Sequence, residues 1–493
     1  MWTNLISPGV FDGSSHCGCG RLTRVHSRRD LLRVSAAGFG WLALRQLLGA
    51  EAIGNPRAIP TASGPLTVRA SHFAPRAKRM IFLFMHGGPS QVDTFDHKPL
   101  LTRDHGKPYP FAKPRVVSSP TANLLRSPWE FRQYGQSGAW VSDLFPRVGA
   151  HADDLCIING MYGSNSRHGG ALLELHTGSD TFVRPSMGSW LSYGLGTESQ
   201  DLPSFITICP TLTHGGTNAY GSAFLPAIHQ GTPIGNAGIS SDRAEIPFIR
   251  NSDSTPPEQQ RRELDLVQDF NRKHLEVAGP DPQLEGRISS FELAFRMQAA
   301  APELQDIRGE TEATRKLYGL DNPVTANFGR QCLMARRFSE RGVRFVQATH
   351  SYKWDQHGGL KRDHANNAAE VDTPIAGLLT DLKSRGLLED TLVLWGGEFG
   401  RTPVTELNGD GRDHNPNGYT VWLAGGGSKP GIRHGSTDDY GYFSVENKVH
   451  LHDLHATILA LFGLDHERLT YRYGGRDFRL TDVHGNVVEE ILA

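Results

Sequence analysis

The sequence has few cysteines, and their number argues against a disulfide framework. Only 5 Cys occur among 493 residues. Cys17 and Cys19 precede a predicted export motif and would be removed with it. The remaining Cys156, Cys209 and Cys332 are odd in number and lie in apolar or helical sequence, so we expect buried thiols.

Charge of either sign is not in excess. The chain has 51 Lys+Arg against 52 Asp+Glu, which gives a formal net charge of -1. This balance gives no reason to expect nucleic acid or an anionic membrane surface as a partner. What the chain does contain is 55 Gly and 29 Pro, typical of long connections, and 22 His, many of them beside Asp or Gly.

The N-terminal region has the pattern of a twin-arginine export signal. Arg28 and Arg29 precede an apolar stretch that ends in small residues near Ala50 and Ala52. An amphipathic terminal helix is the alternative, because Arg45 interrupts the stretch. The stretch is too short and too interrupted for a stable membrane span. We therefore expect a signal region at 1–52 that engages the twin-arginine export machinery, a linker at 53–74, and a periplasmic or extracellular protein.

From residue 75 onward, apolar runs alternate with helical patterns. The predicted strands are 80–85, 155–159, 204–208, 343–349, 391–396 and 419–425, and the predicted helices are 257–278, 285–300, 326–341, 364–385 and 451–463. Such alternation predicts an α/β fold with a largely parallel sheet and helices on both faces. We expect a single domain over 75–493, with a loop-rich insertion or lid near 210–256.

Polar residues follow several of these strands directly. The segment "IFLFMHGGPSQVDTFD" begins as an interior strand and ends in Gly, Asp and His86. In open α/β sheets, ligands bind at the carboxyl ends of the strands. The glycines would let the backbone turn sharply there.

Three further loops supply histidines, carboxylates or both. Their candidate residues are His350, Asp355, His357, Asp363 and His364 in the first loop, Glu398 with Arg401 in the second, and Asp410, Asp413 and His414 in the third. Convergence of these loops would make a metal centre of one or two ions. Each loop also has a structural interpretation: an Asp355–His357 hydrogen bond, a Glu398–Arg401 ion pair, or a turn capped by His414.

Several motifs together resemble a known family. They are "HGGPSQVDTFD", "NSRHGGALLELHTG", "RPSMGSWLSYGLG", "WDQHGG", "GGEFGRTP", "GRDHNPNG" and "HDLHATILALFGLD". With the twin arginine, they resemble the exported bacterial domain-of-unknown-function family fifteen-oh-one, which is similar to the sulfatases and belongs with the alkaline phosphatase superfamily. The resemblance implies an alkaline phosphatase-like α/β/α sandwich with metal ligands on loops at the carboxyl edge of the sheet.

The resemblance also implies roles for individual residues. The implied metal ligands are His86, Asp355, His357, Glu398 and His414. His86 stands where the superfamily usually has Asp, and Phe399 stands where a His often follows, so one ion or an altered pair is expected. The metal itself is left open between Zn, Mn, Fe and Ca.

The nucleophile of the superfamily lies at a helix N-terminus after the second strand, here "GSNSRHGGALLELHTG". Ser166 is the candidate, with Ser164 second, although a simple N-cap is the better supported interpretation of Ser166, because Ser is favoured at that position. Arg167 or His168 could hold an anionic substrate, and His168 could equally be a ligand or a base. No Cys/Ser-x-Pro-x-Arg sequence occurs, so the formylglycine chemistry of ordinary sulfatases has no residue to act on.

Two functions are consistent with these features. The first is an exported metal-dependent hydrolase of phosphate or sulfate esters, small or polysaccharide, in which metal-bound hydroxide or Ser166 attacks. The alternative is a non-catalytic periplasmic binding or assembly protein on the same fold.

Overall fold

The central strand is apolar on both faces, and this explains its place inside a covered sheet. Strand β1 (Arg79–Met85) is buried along nearly its whole length. Its alternating side chains enter two separate cores, with Ile81 and Leu83 in one and Phe82 and Phe84 in the other. Helices therefore cover both faces, as in parallel sheets generally.

The computed structural model describes residues 66–112, 120–250, 255–279, 281–407 and 409–493. After β1, the strands are β2 Thr121–Leu124, β3 Phe131–Tyr134, β4 Ala139–Ser142, β5 Leu155–Tyr162, β6 Phe205–Ile208, β7 Thr232–Ile234, β8 Phe345–His350, β9 Thr391–Gly396, β10 Gly400–Glu406, β11 Arg412–Asn415, β12 Tyr419–Ala424, β13 Ile432–His434, β14 Ser436–Thr437, β15 Ser444–Glu446, β16 Val449–His450, β17 Tyr471–Tyr473 and β18 Arg476–Phe478.

The α-helices of the described residues are Gln91–Thr94, Pro99–Arg103, Pro146–Gly149, His168–Thr177, Met187–Leu195, Pro257–Ala278, Pro282–Gln305, Glu312–Leu317, Ala326–Glu340, Leu360–Ser384 and Leu451–Leu461. All five helices predicted from periodicity are present, although their ends differ by a few residues. None of the helices in the described part of the chain is both long and apolar enough to cross a membrane.

The main sheet has nine strands in the order β13-β5-β12-β9-β1-β8-β6-β7, with β16 also paired to β5. Only β12 runs antiparallel to its neighbours β5 and β9. The predicted α/β class, with a largely parallel sheet between helical layers, is confirmed. All six predicted strands belong to this sheet.

Smaller features complete the compact unit Ser63–Ala493, to which all the described residues belong. A three-stranded sheet of order β11-β10-β2 stands beside the main one. The predicted insertion near 210–256 is mostly irregular, but β7 within it pairs with β6 at the sheet edge. Cys156, Cys209 and Cys332 are buried free thiols, as expected. The export signal at 1–52, Cys17, Cys19 and most of the linker lie outside the described residues.

Candidate metal centre

Strand register brings the polar loops together. In the parallel pairs, Met85 is opposite His350 and Phe84 is opposite Gly396, so β1, β8 and β9 end side by side. The loops that follow carry His86, residues 351–359 and Glu398 to one edge. His168 begins the helix after β5, and His414 lies on β11 opposite Arg401.

Asp355 is the centre of the cluster. Its Oδ1 accepts hydrogen bonds from Arg401 Nη2 at 2.7 Å and lies 3.0 Å from His357 Nε2 and 3.1 Å from His414 Nε2. Its Oδ2 accepts from the Tyr352 hydroxyl at 2.9 Å and lies 3.3 Å from His168 Nε2. Burial alone would raise the pKa of Asp355, but the surrounding imidazoles and Arg401 hold it well below its ordinary value.

Three imidazoles are anchored in the same way. His168 Nδ1 donates to Glu398 Oε1 at 2.7 Å, His414 Nδ1 donates to the carbonyl oxygen of Ser166 at 2.7 Å, and His357 Nδ1 donates to Glu406. Ligand histidines in metal proteins characteristically donate their second ring N–H to a carboxylate or carbonyl in this manner.

The anchored rings direct their Nε2 atoms to the carboxylate of Asp355, those of His357 and His414 to Oδ1 and that of His168 to Oδ2. In neutral His414 the Nδ1 proton is donated to a carbonyl oxygen, so Nε2 is unprotonated and carries a lone pair. The Nε2 atom lies 3.1 Å from both Asp355 Oδ1 and His357 Nε2. Acceptors that face acceptors at this distance need a cation between them, either protons or a metal ion.

Carboxylates control the protonation of His168. Burial opposes its positive charge, yet hydrogen bonds to Asp355 and Glu398 raise the pKa of His168 to about 9. Glu398 is buried, but the adjacent His168 lowers the pKa of Glu398 to about 2. Glu398 also accepts from the backbone N–H of Gly87, at 3.1 Å. This residue, implied by resemblance as a ligand, orients His168 instead of pointing to the three Nε2 atoms.

His86 forms a second group with His168 and His214. One nitrogen from each ring lies within 4.8 Å of the others. His86 is fully buried, both of its ring nitrogens lack hydrogen-bond partners, and burial lowers its pKa to about 4. A neutral imidazole has one unprotonated ring nitrogen, and in His86 that nitrogen has no hydrogen-bond partner among the described residues, so it could act as a metal ligand.

His214 was not predicted from the sequence. It lies in the 210–256 insertion with a positive φ of 55° and stacks on His168 at 4.8 Å between ring centroids. Tyr352, also unpredicted, packs its ring 4.7 Å from His214. The only sequence signal for His214 was the neighbouring Gly pair in a loop expected to flank the site.

Arg401 fixes the two strand-end loops. The guanidinium is fully buried and donates to Asp355, to the carbonyl oxygens of Gly87 and Gly88, and to that of Trp354. Gly87 adopts a φ of +117°, and a Cβ there would meet Trp354 backbone atoms at 2.8 Å. The glycines after β1 thus permit a close approach of two backbones.

The predicted helix-terminus residues are near the centre. Arg167, not Ser166, occupies the N-cap position of the helix His168–Thr177, and no side chain caps that end. Ser166 is largely buried and contributes its carbonyl oxygen to His414. Arg167 is exposed, and its guanidinium makes no hydrogen bond or ion pair with the described residues.

Other histidines and acids singled out in the sequence have structural partners. His350 lies within β8 and bonds Glu370 and Trp354, and Asp363 pairs with Arg362. His364 accepts from the backbone N–H of Ser90, and Asp410 accepts from that of Gly359. His450 caps the C-terminal helix, in which His455 bonds a buried carbonyl.

Comparison with known proteins places the chain in a family. The chain is similar to the PsFucS1 sulfatase from Pseudoalteromonas sp. (14% identity, TM-score 0.34, 80% of this chain and 69% of that chain). It is also similar to the lipoteichoic acid synthase LtaP from Listeria monocytogenes (11% identity, TM-score 0.35, 84% of this chain and 78% of that chain). A third similar structure is the alkaline phosphatase from the Antarctic bacterium TAB5 (10% identity, TM-score 0.31, 78% of this chain and 98% of that chain). No curated protein matches. A family model matches residues 77–492, and the chain therefore belongs to the family described as Protein of unknown function (DUF1501).

Proposed function

We propose that this protein is a metal-dependent hydrolase of phosphate or sulfate esters. The observation that carries the proposal is the convergence of three Nε2 atoms on Asp355, each imidazole having its Nδ1 fixed by an oxygen acceptor. The substrate class is taken from the resemblance of the sequence to a family that is itself similar to the sulfatases. A metal bound there would polarise an ester oxygen and lower the pKa of a water molecule.

The donor set fits a transition metal. His168, His357 and His414 offer imidazole nitrogens and Asp355 offers a carboxylate, a mixture suited to zinc or iron but not to calcium, which prefers an all-oxygen shell. His86 and His214 add two further nitrogens beside His168. Because the Nδ1–H of His168 donates to Glu398, only Nε2 of His168 is available as a ligand, and it can bind one ion. A second ion would have to be bound by His86 and His214 without His168.

The surrounding groups suit an anionic substrate. The helix that starts at His168 directs its unpaired N–H groups and positive dipole toward the centre, and a Cβ at Gly169 would meet open space. Arg167 adds an exposed cation at the same position. Burial, followed by the neighbouring Asp355, raises the pKa of Tyr352 to about 12, so its hydroxyl remains a hydrogen-bond donor at neutral pH.

The attacking oxygen comes from water or from the Ser166 hydroxyl. Ser166 is fixed in the site through its carbonyl bond to His414. A Ser166→Ala variant separates the two routes: it retains activity if water attacks and loses it if the serine forms a covalent intermediate.

The test of this function is an ester screen on metal-loaded protein. Zinc-, iron- and manganese-loaded chains are assayed with nitrophenyl phosphate, bis-nitrophenyl phosphate and nitrophenyl sulfate. Activity that is abolished in Asp355→Asn but kept in Asp363→Asn supports the proposal, because Asp363 lies in the first turn of the following helix and outside the cluster. Metal binding without hydrolysis of any ester would refute it and favour the binding-protein alternative.

We also propose export through the twin-arginine route, supported by the Arg28–Arg29 motif. Replacing both with Lys should retain the protein in the cytoplasm of a bacterial host. Unchanged fractionation of that variant would contradict the proposal.

A further inference from the structure

A cavity outside the metal centre has a basic and aromatic lining. Its volume is about 600 Å³, within the usual range for ligand pockets. It is bordered by the segment that follows β2, by the short helix Pro99–Arg103 and by the start of the helix Leu360–Ser384. None of its residues takes part in the cluster around Asp355.

Positive charge dominates this cavity. Lys98, Arg126 and Lys361 line it, against a single carboxylate from Glu130. Lys98 Nζ is already paired with Asp96 at 3.1 Å. Arg126 and Lys361 are exposed, and neither side chain has an ion pair or hydrogen bond with the described residues. Two cations that have no partners among the described residues, in one concave site, favour an anionic ligand.

The cavity also offers flat aromatic faces. Trp129 is half-buried, and its ring lies 6.1 Å from that of buried His364, at an interplanar angle of 28°. Phe131 stacks on His97 with centroids 4.9 Å apart. Because each aromatic ring packs against a histidine ring, it is held rigidly and presents an amphipathic face on which a sugar ring can stack.

The cavity and the metal centre share structural elements. Arg412, two residues before His414, donates to the carbonyl oxygen of Leu125, which lines the cavity, at 3.0 Å. Lys361 follows His357 by four residues, so their Cα atoms lie within about 14 Å. One extended ligand of a few sugar units can therefore reach both sites.

We propose that this cavity binds an anionic glycan, with sulfate or phosphate groups on Arg126 and Lys361 and a sugar ring on Trp129. The cavity is then a subsite that selects acidic polysaccharide esters for the metal centre. Only this role as a subsite rests on the hydrolase function proposed above. Binding itself needs neither metal nor hydrolysis, so the two proposals can fail separately.

The test measures binding to the full chain by affinity electrophoresis and calorimetry, with dextran sulfate as the probe. Neutral dextran and duplex DNA serve as comparison ligands. We expect binding to dextran sulfate that weakens with added salt, and much weaker binding to neutral dextran and DNA. An Arg126→Ala/Lys361→Ala variant should bind dextran sulfate about tenfold more weakly.

The matched control is Arg287→Ala/Lys316→Ala, an exposed arginine and an exposed lysine that do not line the cavity and have no ion pair with the described residues. This control should bind as the unmodified protein does. A Trp129→Ala variant should lose affinity with little change in salt dependence, since it removes stacking but no charge. Equal loss in the control pair, equal binding to DNA, or no binding to dextran sulfate would each overturn the proposal.

Discussion

Metal binding at the Asp355 cluster should release protons, by an amount set by His168. Its Nε2 must be unprotonated to bind an ion, yet in the metal-free protein Asp355 and Glu398 raise the pKa of His168 to about 9. Neutral pH is about two units lower, so protonation of His168 weakens the apparent metal affinity about 100-fold, or about 2.7 kcal/mol. The hydrogen bond to Asp355 also raises the pKa of His357, so the proton on His357 adds to those that metal binding displaces.

Calorimetric titration of metal-free protein with zinc, in buffers of different ionisation enthalpy, measures the protons released. We expect about one proton from His168 at pH 7. The apparent affinity should rise about tenfold per pH unit toward pH 9 and then level off.

The matched variant is Glu398→Gln. It removes the buried carboxylate that lies 2.7 Å from His168 Nδ1, so the pKa of His168 should fall and fewer protons should be released at pH 7. Metal affinity above pH 9 should still fall about 10–100-fold, because the ring loses its orienting partner. Proton release near zero, or an affinity independent of pH, would refute the assignment of His168 as a ligand.

Three further predictions concern the scaffold. Arg412→Ala leaves Asp93 charged and unpaired in the interior, so urea denaturation should show a loss of about 3–5 kcal/mol in unfolding free energy, and a loss below about 1 kcal/mol would contradict this. Burial lowers the pKa of His364 and of His455 to about 3, so the unfolded chain binds more protons than the folded chain below pH 6.5. The free energy of unfolding should therefore fall by up to about 5 kcal/mol for each of the two histidines as the pH drops from 6.5 toward 3, and the Tm should fall with it. Gly87→Ala places a Cβ against a neighbouring backbone at a positive φ, so the free energy of unfolding should fall by about 1–3 kcal/mol and the Tm should fall with it. An unchanged Tm would contradict this prediction.

The sheet was predictable because its strands are buried on both faces. An uninterrupted apolar run such as residues 80–85 has few alternatives to an interior strand, and the helices have a clear 3.6-residue period. Short polar strands such as β10 and β11 give no such signal, because their stability comes from pairing with each other and from partners such as the buried Arg412. Sequence periodicity therefore predicted the six long strands of the main sheet and missed its short strands β7, β13 and β16 together with the small sheet.

The candidate site was predictable in its location but not in the division of roles. Strand-end loops identified Asp355, His357 and Glu398 as members, and parallel register brings them together. The sequence suggested a Glu398–Arg401 pair, whereas Arg401 contacts Asp355 and Glu398 contacts His168. These partners depend on side-chain directions at one sheet edge, which linear spacing does not specify.

The most direct test of the central claim is the metal content of purified, dialysed protein, measured by elemental mass spectrometry. We compare the unmodified chain with Asp355→Asn, His414→Ala and the control Asp363→Asn, each shown to be folded by circular dichroism. At least one equivalent of a transition metal in the unmodified chain and the control, lost in the two cluster variants, is the expected result. No bound metal in folded, metal-supplied protein, or equal metal in all four chains, would contradict the proposed centre.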